Sequence, residues 1–173
     1  MKLYIRSART GTGRIYANTI SNILDDERFD SDQREELKKG LELGVDVSLY
    51  ADPAFDAWQM EEIRKGLESG VDVNLYADPK FGFAEMAQIR FGLESGVDAS
   101  IYADPKFDWN QMKEIREGIA SGVDVSIYAD PKFNWRQMMQ IREGLEFGVD
   151  ATVYADPALN PTEMYEIRES LKQ

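Results

Sequence analysis

The sequence contains no cysteine and no histidine in 173 residues. These absences exclude disulfide bonds, thiolate nucleophiles, the usual zinc ligands and the commonest general base, so we expect a protein that is not an enzyme and uses no cofactor. No apolar run approaches the roughly 18 residues that a membrane span needs. The first residues, MKLYIRSARTGTG, lack the apolar core of a signal peptide. Together with the absence of cysteine, these features favour a cytoplasmic location.

Basic residues are in the minority, and this imbalance predicts the kind of partner. Lysine and arginine number 20, against 32 aspartate and glutamate residues, which gives a formal net charge of −12. Such a surface repels nucleic acid backbones and anionic membranes. We therefore expect no direct binding of nucleic acid or membrane, and instead a basic protein partner or mimicry of nucleic acid.

A 26-residue repeat fills most of the chain. The motif Tyr-Ala-Asp-Pro begins at Tyr50, Tyr76, Tyr102, Tyr128 and Tyr154. A degenerate unit starts near Leu24, and a last helix-like half, NPTEMYEIRESLKQ, follows the fifth motif. A fixed period of this length is typical of architectures in which each unit buries its apolar face against its neighbours.

The helix-like half of each unit carries its own start and stop signals. A capping residue comes first, and Gln or Glu follows three residues later, as in a capping box. The capping column holds Asp30, Asp56, Gly82, Asp108, Asn134 and Asn160. A glycine ends each of the first five helices in the predicted left-handed conformation. The predicted long helices lie near residues 30–43, 56–69, 82–95, 108–121, 134–147 and 160–172.

Another glycine recurs inside the helix, at Gly40, Gly66, Gly92, Gly118 and Gly144. Glycine costs about 1 kcal/mol relative to alanine inside a helix. Its recurrence predicts that a neighbouring backbone passes close to the helix at this position.

The segment VDVSIYADP, after the helix, has two interpretations. Asp124 can cap a short helix from Val125 to Ala129 that stops before Pro131. Alternatively, the alternation of Val, Asp, Val, Ser and Ile is typical of a strand. The first interpretation is favoured and predicts an all-α fold, a right-handed α-solenoid of helical hairpins. The second predicts a β/α horseshoe.

The first 17 residues do not share the repeat. They contain Lys2, Arg6, Arg9 and Arg14 and no acidic residue. Two short segments, Leu3-Tyr4-Ile5 and Arg14-Ile15-Tyr16, flank Arg-Thr-Gly-Thr-Gly and predict a β-hairpin or irregular cap over the first repeat. The sequence therefore predicts a basic cap segment at 1–17 and a helical repeat domain at 18–173.

The unit Y-A-D-P-x-F-(D/N)-x-x-Q-M-x-x-I-R-x-G-L-x-x-G-V-D-V-S resembles a repeat family found in bacterial, phage and other mobile-element proteins. The resemblance covers residues 24–173. It implies that the chain is a product of a mobile element, and such products include inhibitors of host defence, among them anti-CRISPR and antirestriction proteins.

Several other columns of the repeat are interpreted as structural. Paired aspartates such as Asp124 and Asp130 recur in every unit and are interpreted as capping and turn residues rather than as calcium ligands or acid–base pairs. An arginine column from Arg64 to Arg168 is interpreted as a set of ion pairs between repeats. A methionine column from Met60 to Met164 is interpreted as core.

Large apolar residues break the columns at positions where other units carry small or polar residues. They are Trp58, Phe83, Phe91, Trp109, Trp135, Met139 and Tyr165. A row of exposed aromatic side chains is typical of an interface, so these residues are the candidate partner-binding site. The competing interpretation is that they pack across adjacent helix starts.

These observations give two functional hypotheses. The first is a mobile-element inhibitor of a host defence nuclease, such as a CRISPR nuclease, that blocks a basic nucleic-acid-binding surface. The second is a protein-interaction scaffold or adaptor without inhibitory activity.

Overall fold

The computed structural model describes residues 26–172, and this part of the chain is all-helical. Six α-helices begin at intervals of 26 residues: α1 Ser31–Leu43, α2 Ala57–Ser69, α3 Phe83–Glu94, α4 Trp109–Ser121, α5 Trp135–Glu146 and α6 Pro161–Leu171. Five 3-10 helices alternate with them: η1 Val47–Leu49, η2 Val73–Leu75, η3 Ala99–Ile101, η4 Val125–Ile127 and η5 Ala151–Val153. Each α-helix packs against the next one along the chain.

The caps of the long helices are the predicted ones. The capping box is complete at five of the six helix starts. The exception is α3, where the capping residue is Gly82 and no side chain caps the helix. The five glycines after the helices all have φ between 73° and 77°, a conformation that residues with a Cβ rarely adopt. Because these signals act within one turn of helix, they could be identified from the sequence alone.

The segment after each long helix is a short 3-10 helix, and the strand interpretation was wrong. In η4 the Asp124 carboxylate accepts from the Ser126 backbone N–H at 3.0 Å. The Ala129 N–H then donates to the Val125 carbonyl at 2.8 Å. The backbone groups that a strand would offer to a neighbour are therefore used locally, which also rules out the β/α horseshoe over the described residues. The helix is shorter than predicted, ending at Ile127.

The glycine inside each of the first five long helices makes room for a tyrosine side chain, so the predicted neighbouring backbone was wrong. An alanine Cβ at Gly118 would lie 1.9 Å from the Tyr128 hydroxyl oxygen and 2.9 Å from a Val125 methyl group. The tyrosine is fully buried and donates its hydroxyl to the Glu114 backbone carbonyl at 3.1 Å. The same contact recurs at the other four tyrosines of the repeat.

The glutamine of the capping box also ties one unit to the next. In α4 the Gln111 Oε1 atom accepts from the Asp108 N–H at 2.8 Å. Its Nε2 atom donates to the backbone carbonyls of Phe133 at 2.7 Å and Pro131 at 3.3 Å, in the following unit. Gln33, Gln59 and Gln137 make the same three contacts. One side chain therefore caps its own helix and fixes the turn that precedes the next.

The buried interior consists of the tyrosines, the turn phenylalanines and the Met and Ile columns of the long helices. Met60, Met86, Met112, Met138 and Met164 are all fully buried, which confirms the methionine column as core. The predicted N-terminal β-hairpin and the boundary between residues 17 and 18 lie outside the described residues. No helix in the described part is long and apolar enough to span a membrane.

Candidate functional site

The column-breaking aromatic residues lie on one side of the long helices. Helix residues four, seven or eight positions apart share a face. One surface of each helix is therefore formed by its first, fifth and ninth residues. The second residue belongs to it as well, because it lies seven positions before the ninth. We call this surface the outer face. Trp58 is the second residue of α2, and Phe83, Trp109 and Trp135 are the first residues of α3, α4 and α5. Met139 and Tyr165 occupy fifth positions, and Phe91 a ninth.

Five of these seven side chains are exposed. The exposed fractions are 64% for Trp58, 50% for Phe83, 48% for Tyr165, 43% for Trp109 and 41% for Phe91. Trp135 and Met139 are half-buried. Surfaces that leave such large apolar side chains in water commonly bind a partner, but the assignment of these residues to an interface stays a prediction.

Only one pair of these aromatic rings is close enough for a direct ring contact. The ring centroids of Trp58 and Phe83 lie 6.0 Å apart with an interplanar angle of 40°, within the range of favourable aromatic pairs. This contact crosses from α2 to α3 and agrees in part with the competing interpretation of packing between helix starts. Both rings nevertheless remain at least half exposed.

Several exposed or half-buried rings lie close to a cation of the same chain. The guanidinium of Arg90 lies 4.4 Å from the Phe91 centroid, and that of Arg136 lies 4.5 Å from Trp135. Arg168 lies 5.2 Å from Tyr165, and the Lys172 ammonium lies 4.2 Å from Phe147, an exposed ring near the end of the outer face. Cations within about 6 Å of a ring face are attracted by its quadrupole. Aromatic rings on this surface are therefore repeatedly paired with basic groups.

Four of the five arginines in the column form ion pairs between repeats, as predicted. Arg142 of α5 reaches back to Glu114 of α4 at 3.0 Å and forward to Glu146 of its own helix at 2.9 Å. Arg64 pairs with Glu36, and Arg90 with Glu62, in the same way. Gln88 replaces the glutamate opposite Arg116 and accepts its Nε–H at 3.2 Å. For these four arginines the partner is the sixth residue of the preceding long helix, whereas Arg168 pairs with Glu143, the ninth residue of α5.

The environment of that glutamate differs from one unit to another. Burial raises the pKa of Glu36, but hydrogen bonds from Lys39 and Arg64 outweigh burial and hold the pKa below its ordinary value. At Glu114 burial prevails over the hydrogen bond from Arg142, and the pKa is raised. In this column, hydrogen bonds from basic groups therefore offset the effect of burial at Glu36 but not at Glu114.

The recurring aspartates act as caps and turn residues, which confirms their structural interpretation. Asp124 caps η4, and Asp130 accepts from the Lys132 N–H at 3.0 Å in the turn that follows. Within residues 26–172, no group of three or more acidic side chains is arranged to hold a metal ion. The aspartates recur because every unit needs the same two local hydrogen bonds.

A cleft between α1 and α2 was not predicted. Its volume is about 270 Å³, and its walls include Trp58 with Asp32, Glu35 and Glu61. Lys39 is the one basic residue in its described lining and donates to Glu36 at 2.6 Å. The sequence signal was the presence of Asp32 and Glu35 on the outer face of α1 together with Trp58 at the second position of α2, one residue later than the tryptophans of α4 and α5.

Sequence reasoning also missed an exposed aliphatic column on the 3-10 helices. Leu49, Ile101 and Val153 are 38%, 44% and 59% exposed, while Leu75 and Ile127 are half-buried. All five residues end a 3-10 helix. Their recurrence in every unit was visible in the sequence, but the choice between strand and helix left their orientation open.

Comparison of the chain with protein-family models, with curated proteins and with solved structures gives no match. The resemblance of the unit to repeats of bacterial and mobile-element proteins therefore stays a prediction. Any functional conclusion depends on the surface itself.

Proposed function

We propose that the described helices form a right-handed α-solenoid whose outer face binds a basic protein. The proposal of a solenoid is supported by helix starts at a constant 26-residue interval and by the packing of each long helix on the next. In such an arrangement the same helix positions recur along one side at a spacing of about 10 Å. Side chains on successive helices can then contact one extended partner surface.

The exposure of Phe83 and Trp109 is the observation that carries the proposal. Each is the first residue of its helix, and each leaves about half of its side chain in water. Interface centres are enriched in large aromatic residues, which contribute a disproportionate share of the binding free energy. The net charge of −12 adds long-range attraction toward a positively charged partner.

The more specific form of the proposal is an inhibitor of a host defence nuclease of the CRISPR type. Such nucleases hold nucleic acid in positively charged channels, which an acidic protein of this size would obstruct. The resemblance of the repeat to mobile-element proteins supports this form. The partner would be bound through its basic channel, and this chain would act without catalysis.

A scaffold or adaptor without inhibitory activity is the second candidate, and the ion pairs favour it. Many acidic side chains near the outer face are already paired within the chain, such as Glu62 with Arg90 and Glu146 with Arg142. A mimic of nucleic acid would present a less compensated acidic surface. An adaptor would bind through its aromatic residues and leave the activity of its partner unchanged.

DNA cleavage by a purified RNA-guided nuclease, with and without this protein, tests the proposal. We expect stoichiometric inhibition that weakens as salt is raised, and loss of at least about tenfold in affinity for the double variant Phe83→Ala, Trp109→Ala, since two hot-spot residues are removed. The matched control is Leu49→Ala, Ile101→Ala, which removes exposed apolar groups from the 3-10 helices instead.

Three results discriminate between the candidates. Inhibition lost only in the aromatic variant supports the inhibitor. Binding that depends on the aromatic residues while cleavage continues supports the adaptor. Equal effects of both double variants, or no binding of any basic nucleic-acid-binding protein tested, would contradict the outer face as the interface.

A further inference from the structure

We propose that the cleft between α1 and α2 binds an arginine side chain of the partner, with the guanidinium over the ring of Trp58. The inference rests on the proposed function and deepens it, because it names the chemical group that one part of the outer face recognises. Three observations support it: the composition of the cleft, the ring–cation pairs elsewhere on the same face, and the geometry of arginine.

The cleft combines an aromatic wall with carboxylates. Trp58 is the most exposed of the candidate aromatic residues, at 64%. Asp32 and Glu35 line the same space and, among the described residues, have no basic partner within ion-pair distance. Lys39 neutralises Glu36, and Lys65 holds Glu61 at 3.0 Å. The unpaired negative charge in the cleft therefore comes from Asp32 and Glu35.

Four other rings on this side of the helices indicate which group the face binds. Phe91, Trp135, Tyr165 and Phe147 each have an arginine or lysine of the chain within 5.2 Å of the ring centroid. Within residues 26–172, no cation of the chain lies over the ring of Trp58. This ring also differs from the others in forming part of a cleft of about 270 Å³. A cation supplied by a partner would complete at Trp58 the arrangement that the chain forms by itself elsewhere.

Arginine fits the cleft better than lysine does. Its planar guanidinium stacks on an aromatic ring while its N–H groups donate to carboxylates in the plane of the guanidinium. Trp58 and the carboxylates of Asp32 and Glu35 provide both kinds of contact within one space. A lysine ammonium is a compact, strongly hydrated charge and would gain from the carboxylates but less from the ring. The volume lies just below that of typical small-molecule sites, and therefore suits a side chain.

The test uses the full chain with Trp109→Phe and Trp135→Phe, which leaves Trp58 as its sole indole, since the sequence contains three tryptophans. Blocked tri-arginine, tri-lysine and tri-citrulline peptides are titrated while indole fluorescence is recorded. We expect saturable quenching by tri-arginine, affinity about threefold or more lower for tri-lysine, and no saturation with the neutral citrulline peptide. Equal responses to arginine and citrulline would overturn the proposal.

Matched variants locate the binding, with affinity measured by calorimetry in the otherwise unaltered chain. Trp58→Leu is expected to weaken tri-arginine binding roughly 3- to 30-fold, the range of ring–cation contacts. Glu35→Gln is expected to weaken it several-fold, whereas Glu166→Gln, the same charge change on the exposed surface of α6, leaves it unchanged. Equal weakening by the two glutamine variants would reduce the interaction to general charge attraction and overturn the site.

Urea unfolding of each variant verifies that it folds. If tri-arginine fails to bind while Phe83 and Trp109 remain necessary for nuclease inhibition, the arginine site is wrong and the proposed function stands. If the peptide binds at Trp58 while the aromatic pair is dispensable, the arginine site stands and the proposed interface is wrong.

Discussion

The contacts between units, here called the seam, use the same residues in successive units, whereas the outer face does not. At the seam the same residues recur: tyrosine against glycine, and, in four units, glutamine against two carbonyls. On the outer face the corresponding columns change from unit to unit, with Ser31, Ala57, Phe83, Trp109, Trp135 and Pro161 at the first helix position. Residues that must satisfy the same neighbours cannot vary, whereas those that face water can. Variation among units of one chain therefore marks where a partner can be recognised.

The largest expected effect comes from breaking the seam with Gly118→Ala. The new Cβ would meet the Tyr128 hydroxyl at 1.9 Å, so we expect the free energy of unfolding to fall by about 3 kcal/mol, although alanine is the better helix former. Urea unfolding measures the loss.

Tyr128→Phe is the matched second change for that prediction. Alone it removes the hydrogen bond to the Glu114 carbonyl and should cost about 1 kcal/mol. Combined with Gly118→Ala it should recover part of the alanine loss, because the clashing oxygen is gone. A double variant as unstable as the sum of both changes would show that the hydroxyl contact is not the constraint.

A smaller effect is expected at the glutamine of the seam. Gln111→Glu keeps the acceptor for the Asp108 N–H but removes the donor to the carbonyls of Pro131 and Phe133. We expect a loss of about 2 kcal/mol at pH 7, because a buried carboxylate would face two carbonyl oxygens. Thermal and urea unfolding measure it.

The reverse change, Glu85→Gln, is the control within the chain. Glu85 now accepts from the Trp109 N–H at 3.1 Å, and glutamine there would restore the donor that the other units possess. It should be neutral or stabilising by up to about 1 kcal/mol. If both Gln111→Glu and Glu85→Gln destabilised the protein, the residues at this position would not be interchangeable between units.

The smallest effects compare two members of the glutamate column by their dependence on pH. For Glu36→Gln we expect a loss of about 1 kcal/mol at pH 7. The loss should disappear as pH falls from the ordinary value of 4.5 through the lower folded pKa, because the unfolded chain takes up this proton first. Urea unfolding between pH 3 and 7, at closely spaced values, measures the trend.

Glu114→Gln should show the opposite trend. Its raised pKa means that the folded state binds the proton first, so this carboxyl contributes less to stability as pH rises above about 4.5. Glutamine is expected to leave the free energy of unfolding at pH 7 nearly unchanged or slightly higher. Gln88 of α3 already accepts a hydrogen bond from Arg116 at the equivalent position. Parallel pH profiles for the two variants would contradict the difference between the sites.

The sequence predicted what is decided within one turn of chain and missed what two units decide together. The caps at Asp108 and the left-handed Gly122 depend only on adjacent backbone groups, and both were identified. The tyrosine that occupies the space beside Gly118 lies ten residues further along the chain, beyond the end of α4. The second role of Gln111 depends on backbone carbonyls 20 and 22 residues further along the chain, and the cleft at Trp58 depends on side chains of the preceding helix. No local signal specifies either contact.

The bonds that join the units have a consequence for the growth of the chain. Among the described residues, the arginine and glutamine links span at most 28 residues. The entropy lost on closing a loop depends on the separation of its ends and not on the length of the whole chain. Duplication of a unit would therefore add a new link without making any existing one harder to form. A protein of this kind can lengthen or shorten in evolution by whole units, and with each unit it gains or loses a patch of surface that is free to acquire its own partner.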